Sequence, residues 1–98
     1  MTYRVYILYS QKLGSFYKGQ TVDINDRMKR HNSGYEKSTA SGCPWKLIWI
    51  TRKPDRAAAR VLERKLKNLS KAKLLAFMLK YYSEIIPEEL DFIKRFEP

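Results

Sequence analysis

Two tyrosines, an arginine, a histidine and one isolated glutamate are the side chains whose types and spacing could carry chemistry in this sequence. Tyr6 and Tyr17 each lie in a short aromatic run, Arg27 and His31 stand four apart in a helical pattern, and Glu63 is the sole acid between Arg60 and Lys67. Phenols and an imidazole can orient water and move protons, a guanidinium can neutralise a developing anion, and a carboxylate can hold a cation. Each also has an ordinary reading. The tyrosines could be amphipathic strand residues with one wet end, and Arg27 and His31 solvated neighbours of Lys29 and Arg30. Glu63 could simply pair with Lys67 one helical turn on.

The elements that must position these residues can be read from periodicity. Tyr3 to Tyr9 is aromatic and β-branched with little polarity, which predicts a central strand covered on both faces. A turn from Ser10 to Ser15 leads into a second strand, Phe16 to Thr21, folded back antiparallel. With the turn centred near Lys12 and Leu13, Tyr6 falls across from Gly19 and Leu8 across from Tyr17, to within one register step. Tyr6, Tyr17 and Gly19 then share a face, where the glycine leaves room for a ring or a ligand.

Asp23 can cap a helix from about Ile24 to Asn32, buried through Ile24 and Met28 and ended by Gly34, with Arg27 and His31 on one flank. Tyr35 to Pro44 has no period and reads as a loop, from which Lys37, Ser38, Thr39 and Ser41 could touch phosphates. Trp45 to Thr51 predicts a third strand. A long helix opens at Pro54-Asp55 and runs to about Leu69, and another, capped by Ser70, runs to about Ser83. Pro87 starts a short last helix carrying Leu90, Ile93 and Phe96. Tyr81, Tyr82, Ile85 and Ile86 form a cluster that serves either the core or a dimer contact.

Twenty Lys and Arg against ten Asp and Glu give a formal net charge of +10, spread from Arg4 to Arg95 without a block of like charge. That describes a basic folded surface suited to a polyanionic partner. Cys43 is the only cysteine, so an internal disulfide and a multi-cysteine zinc cage are excluded, and a small buried residue is its expected role. No signal-peptide pattern opens the chain and no apolar run approaches the roughly 18 residues of a membrane span. The expectation is a soluble cytoplasmic protein of one domain over residues 1–98, with a core at 3–80 and a helical extension at 81–98.

The ordered fragments resemble the GIY-YIG nuclease superfamily, in particular its small stand-alone members similar to the amino-terminal nuclease domain of the excision-repair (UvrC-type) incision subunit. Val5-Tyr6-Ile7 looks like the first signature and Tyr17-Lys18-Gly19-Gln20-Thr21 like the second. Asp23 to Met28 followed by His31-Asn32-Ser33-Gly34 is similar to the helix after it. Thr39, Gly42-Cys43-Pro44-Trp45, Ala58 and Glu63 to Lys67 continue the pattern in order. Val5 stands where the first motif has Gly and Lys18 where the second has Ile.

The resemblance implies an α/β (α+β) fold: a small three-stranded, largely antiparallel sheet flanked by helices, with an extra C-terminal helix. It implies a metal-dependent endonuclease using Mg²⁺ or Mn²⁺ on nucleic acid, DNA in preference to RNA, structure-selective or weakly specific, in a setting such as DNA repair. By the same resemblance Glu63 holds the metal, Arg27 stabilises the phosphorane, and Tyr6, Tyr17 and His31 handle the attacking water. Lys18, Arg30, Lys37, Thr39 and Lys67 are the expected nucleic-acid contacts. A protein partner or homodimer is compatible with it, and so is a different reading, a non-catalytic basic binding module on a nuclease scaffold.

Overall fold

The computed structural model describes residues 2–96. Strand β1 (Tyr3–Ser10) turns at Gly14, which takes a positive φ of 65°, into β2 (Ser15–Thr21). Helix α1 (Ile24–Asn32) follows, then a short α2 (Lys37–Ala40), strand β3 (Trp45–Lys53), α3 (Arg56–Lys67) and α4 (Lys71–Lys80). Two 3-10 turns, Tyr82–Glu84 and Pro87–Glu89, lead into α5 (Leu90–Lys94). The sheet is antiparallel in the order β2-β1-β3, so the first strand is central as its composition predicts. Tyr6 pairs with Gly19 and Leu8 with Tyr17, the expected register.

β1 is central and helices pack on both faces of the sheet, so its side chains alternate between two buried layers. Val5 and Ile7 join Ala59, Leu66, Leu74, Leu75, Met78 and Ile93 in the larger core beneath the C-terminal helices. Tyr6 and Leu8 face the other way and pack with Trp45, Ile24 and Met28. A register shift in the pairing of β1 with β3, between Ile7 and Leu8, lets both Ile48 and Trp49 enter the larger core. The sequence pattern alone does not show that bulge.

Local rules account for the helix starts. Asp23, Asp55 and Ser70 each accept a hydrogen bond from a backbone N–H in the first turn of α1, α3 and α4. Gly34 adopts the left-handed conformation, φ 78°, just past α1. Two details differ from the expectation. Residues 37–40 form a helical turn inside the segment read as a loop, and α4 stops at Lys80 instead of running on to Ser83.

The cluster at residues 81–86 splits. Ile85 is buried and pairs with Trp49, Ile86 donates its N–H to the Ile48 carbonyl, and Tyr81 and Tyr82 are exposed. The segment after α4 therefore covers part of the free edge of β3 and supplies Ile85 and Ile93 to the larger core. No helix among the described residues is long and apolar enough to cross a membrane.

Ile93 is fully buried, and truncating it should leave a cavity in the core that β1 and α3 share. Ile93→Ala is expected to lower unfolding stability by about 2–5 kcal/mol, read as a shift in urea midpoint at constant slope. A variant as stable as the parent would make the last helix a dispensable appendage.

Candidate active site

On the face of the sheet under α1, the phenol of Tyr6 crosses above Gly19. A Cβ on Gly19 would lie 2.7 Å from the Tyr6 hydroxyl and 3.1 Å from a ring carbon of Tyr17, so the glycine is required by the close approach of two rings. The Tyr6 hydroxyl is 3.0 Å from Nε2 of His31, and Nδ1 of His31 is 3.0 Å from the hydroxyl of Thr39. Thr39 in turn points its hydroxyl at the Glu36 carbonyl, 3.5 Å away. With the Thr39 proton directed there, His31 is protonated on Nδ1 and its Nε2 accepts from Tyr6.

α1 brings His31 to this place because Ile24, Met28 and His31 fall on one side of it, and α2 brings Thr39 beneath the ring. Asn32 ties α1 to β3 by donating to the Trp45 carbonyl, and the indole N–H of Trp45 donates to the Thr39 carbonyl at 2.7 Å. Cys43, half-buried, donates its S–H to the His31 carbonyl. Tyr17, half-buried, lays its ring 4.9 Å from that of His31 and 6.4 Å from that of Tyr6.

Burial sets the protonation states. Desolvation, then the neighbouring Tyr17 phenol, pushes the Tyr6 phenol well above its ordinary range, with Arg27 opposing. Desolvation and the Arg27 guanidinium lower the His31 pKa from 6.5, against a smaller opposite pull from Glu36. Near neutral pH the pair is therefore a protonated phenol donating to a neutral imidazole.

Glu63 lies on the other face, reached over the edge strand β2. Its carboxylate accepts from the Gln20 amide at 2.8 Å and pairs with Lys67 at 2.8 Å. The ion pair expected from helical spacing thus exists, and it leaves the carboxylate rimming an open cleft with Gln20, Arg60 and Lys67. Gln20 and Arg60 also line the adjoining cleft that contains Arg27. The two clefts form one groove along β2, with Glu63 toward one end and Arg27 toward the other.

Of the expected nucleic-acid contacts, Lys18 and Lys67 lie on the Glu63 side. Burial and then Lys67 lower the Lys18 pKa, while the hydrogen bond to Glu63 raises that of Lys67. Arg30 is spent on Asp26 and Glu36, on the outer side of α1, and Lys37 is exposed on α2. Thr39 corrects the sequence reading. It is fully buried and bonded to His31, because α2 turns it inward, so it cannot act as a surface phosphate contact. Gln20 went unassigned, although its alternation with Tyr17 and Gly19 already placed it on the opposite face from them.

Among the described residues no cluster of three or more His, Cys, Asp or Glu could hold a metal ion. The donor set nevertheless fits a hard divalent cation. Glu63 offers a carboxylate, and beside it the Gln20 carbonyl oxygen is buried without a hydrogen-bond partner. Mg²⁺ is commonly held by one or two carboxylates, its own waters and substrate phosphate. The buried Nε of Arg27 is likewise unpartnered, an orphan donor at the other end of the groove.

The fold is thus a three-stranded antiparallel sheet with helices on both faces and polar clefts at the β2 edge. Residues 2–76 match the GIY-YIG catalytic domain, and the chain belongs to that family. It is 38% identical over 74 residues to the UPF0213 protein BH0048 of Halalkalibacterium halodurans, covering 74% of this chain and 78% of that protein. The solution structure of UPF0213 protein BH0048, described from Bacillus halodurans, matches with a TM-score of 0.51 and 34% identity, over 86% of this chain and 87% of that one. Nucleases with this domain generally use divalent metal ions and act on nucleic acid.

The buried imidazole makes a pH-dependent contribution to stability. Its folded pKa is below the unfolded value, so the unfolded state binds the proton first as pH falls. Stability should be full above about pH 6.5 and decline below it towards the folded pKa. Urea midpoints across that range should fall more steeply for the parent than for His31→Gln, and equal slopes would contradict the buried neutral imidazole. At Gly19, replacement by Ala should cost about 1–3 kcal/mol by driving the two phenols apart. An unchanged melting temperature would show that the rings yield freely.

Proposed function

We propose that this chain is a metal-dependent endonuclease that hydrolyses phosphodiester bonds in nucleic acid, DNA in preference to RNA, with structure-selective or weak sequence specificity. The observation that carries the reading is the hydrogen-bonded series Tyr6, His31 and Thr39 lying beside the groove that holds Arg27 and Glu63. The preference for DNA and a setting in repair rest on the sequence resemblance alone, and a cytoplasmic location on the sequence pattern.

In this reading Glu63, with the Gln20 carbonyl beside it, holds Mg²⁺ or Mn²⁺, which when bound supplies Lewis-acid neutralisation of the phosphate oxygens. Arg27, which lines the groove, offers its guanidinium to a non-bridging oxygen and counters the charge that grows as water attacks phosphorus. Tyr17, the less buried of the two phenols, orients the water. As the water oxygen bonds to phosphorus, its proton passes to the Tyr6 oxygen and the Tyr6 proton passes to Nε2 of His31. The imidazolium so formed keeps its Nδ1–H on Thr39, and the bond from phosphorus to the departing oxygen breaks, that oxygen taking a proton from solvent. Tyr6 never has to exist as a free phenoxide, which its burial disfavours.

A second reading, a non-catalytic basic module for nucleic acid, draws on one observation: Tyr6 and His31 are sealed from solvent, at 0% and 1% exposure. Cleavage requires Tyr17 to swing aside or a water to enter beneath it, and binding requires neither.

Labelled single-stranded, duplex, flapped and branched DNA, and RNA, incubated with Mg²⁺ or Mn²⁺ and with chelator, separate the two. Glu63→Gln and Tyr6→Phe should each reduce metal-dependent cleavage by about 10²-fold or more. Nucleic-acid affinity should change little, since the overall positive charge supplies most of it. Undiminished cutting by Glu63→Gln would remove the metal assignment. Binding without cutting by the parent, on every substrate, would establish the binding module in place of the enzyme.

A further inference from the structure

Helix α3 carries Arg56, Arg60 and Arg64 at successive four-residue steps, all exposed. Steps of that kind place the Cα atoms about 6 Å apart along the axis, comparable with the distance between successive phosphates of an extended strand. Arg60 and Arg64 line the cleft that contains Glu63, and Arg56 and Arg60 line the adjoining cleft that contains Arg27. The ridge is thus one wall of the groove, from end to end.

Among the described residues none of Arg27, Arg56, Arg60 and Arg64 forms an ion pair, whereas Lys67 is engaged by Glu63, and Arg30, on the outer side of α1, by Asp26 and Glu36. Glu63 is the only acid on α3, and Lys67 already neutralises it. Four guanidiniums without counter-charge along one groove repel one another in the free protein, and an anion of matching spacing relieves that repulsion. The ridge is also held in place: the Arg56 guanidinium lies 5.7 Å over the ring of Tyr3, a residue that lines the same cleft.

We propose that Arg56 and Arg60, with Tyr3 beneath Arg56, form a subsite for a phosphate flanking the one that faces Arg27 and Glu63, so that α3 serves as a rail along a nucleic-acid strand. The proposal rests on the nucleic-acid partner of the nuclease reading but not on cleavage. Its recognition is of the backbone, through bidentate guanidinium contacts to phosphate oxygens, and it carries no base preference.

The test is binding of a short labelled oligothymidylate, followed by fluorescence anisotropy in chelator over a range of salt. Three proteins are compared: the parent, Arg56→Gln/Arg60→Gln, and the charge-matched control Arg52→Gln/Arg95→Gln, whose arginines are exposed away from the groove. Glutamine keeps the helix-forming stem, and matching thermal melts show that each variant is folded. The groove variant should bind roughly tenfold or more weakly and lose about 0.7 in salt slope for each phosphate released, while the control stays near the parent. Equal losses in the two variants, unchanged affinity in the groove variant, or no binding by the parent at low salt would each overturn the subsite. The readout needs no metal and no cutting, so a protein that binds as expected but never cleaves sinks the nuclease reading and leaves the subsite standing.

Discussion

β1 is hydrogen-bonded on both edges, and from that pairing the rest of the site follows. α3 and α4 cover one face of this central strand and α1 the other, so every second residue is buried one way and the alternate residues the other. Val5 and Ile7 meet the condition with aliphatic side chains against α3 and α4. Tyr6 meets it with a phenol, which cannot be buried cheaply unless its hydroxyl finds a partner. The nearest part of the chain able to supply one is α1, and His31 arrives there because it continues the inward side marked by Ile24 and Met28.

Burying an imidazole transfers the same requirement one step on, since two ring nitrogens need partners and Tyr6 satisfies only one. Thr39 satisfies the other, and Trp45 and Cys43 hold the Thr39 and His31 carbonyls through their own N–H and S–H. The short α2, between α1 and β3, places that hydroxyl beneath the ring. The phenol, the imidazole and the hydroxyl form a polar thread through an otherwise apolar layer, and low dielectric strengthens each bond in it while penalising any gap.

Much of this was legible in the sequence. Strand order and the crossing of Tyr6 over Gly19 follow from alternation and turn length, and Asp23, Asp55 and Ser70 announce their helices by cap chemistry. The four-step spacing of Arg27 and His31 shows that they are neighbours, but not that the histidine turns into the core while the arginine reaches the groove. That division depends on where α1 docks, which no local pattern encodes. α2 was invisible because four residues of Lys, Ser, Thr and Ala carry no hydrophobic period, and so the depth of Thr39 was missed. Alternation puts Gln20 on the face opposite Tyr17 and Gly19, but an amide shows no role until a carboxylate from a distant helix stands against it.

A site divided between two faces of a sheet can be assembled at one place only, where the sheet ends. Tyr6 and Tyr17 lie under α1, which carries His31, Glu63 belongs to α3, and β2 is the edge strand between them. Alternation along β2 serves both sides at once: Tyr17, Gly19 and Thr21 face α1, while Lys18 and Gln20 face α3. An additional strand docked on β2 would close the groove, and a half-buried lysine at that edge works against such pairing. The open edge is therefore a condition for the groove. On the nuclease reading, groups from the two faces can act on one phosphate only if the backbone between them is a single strand thick and nothing covers its far side.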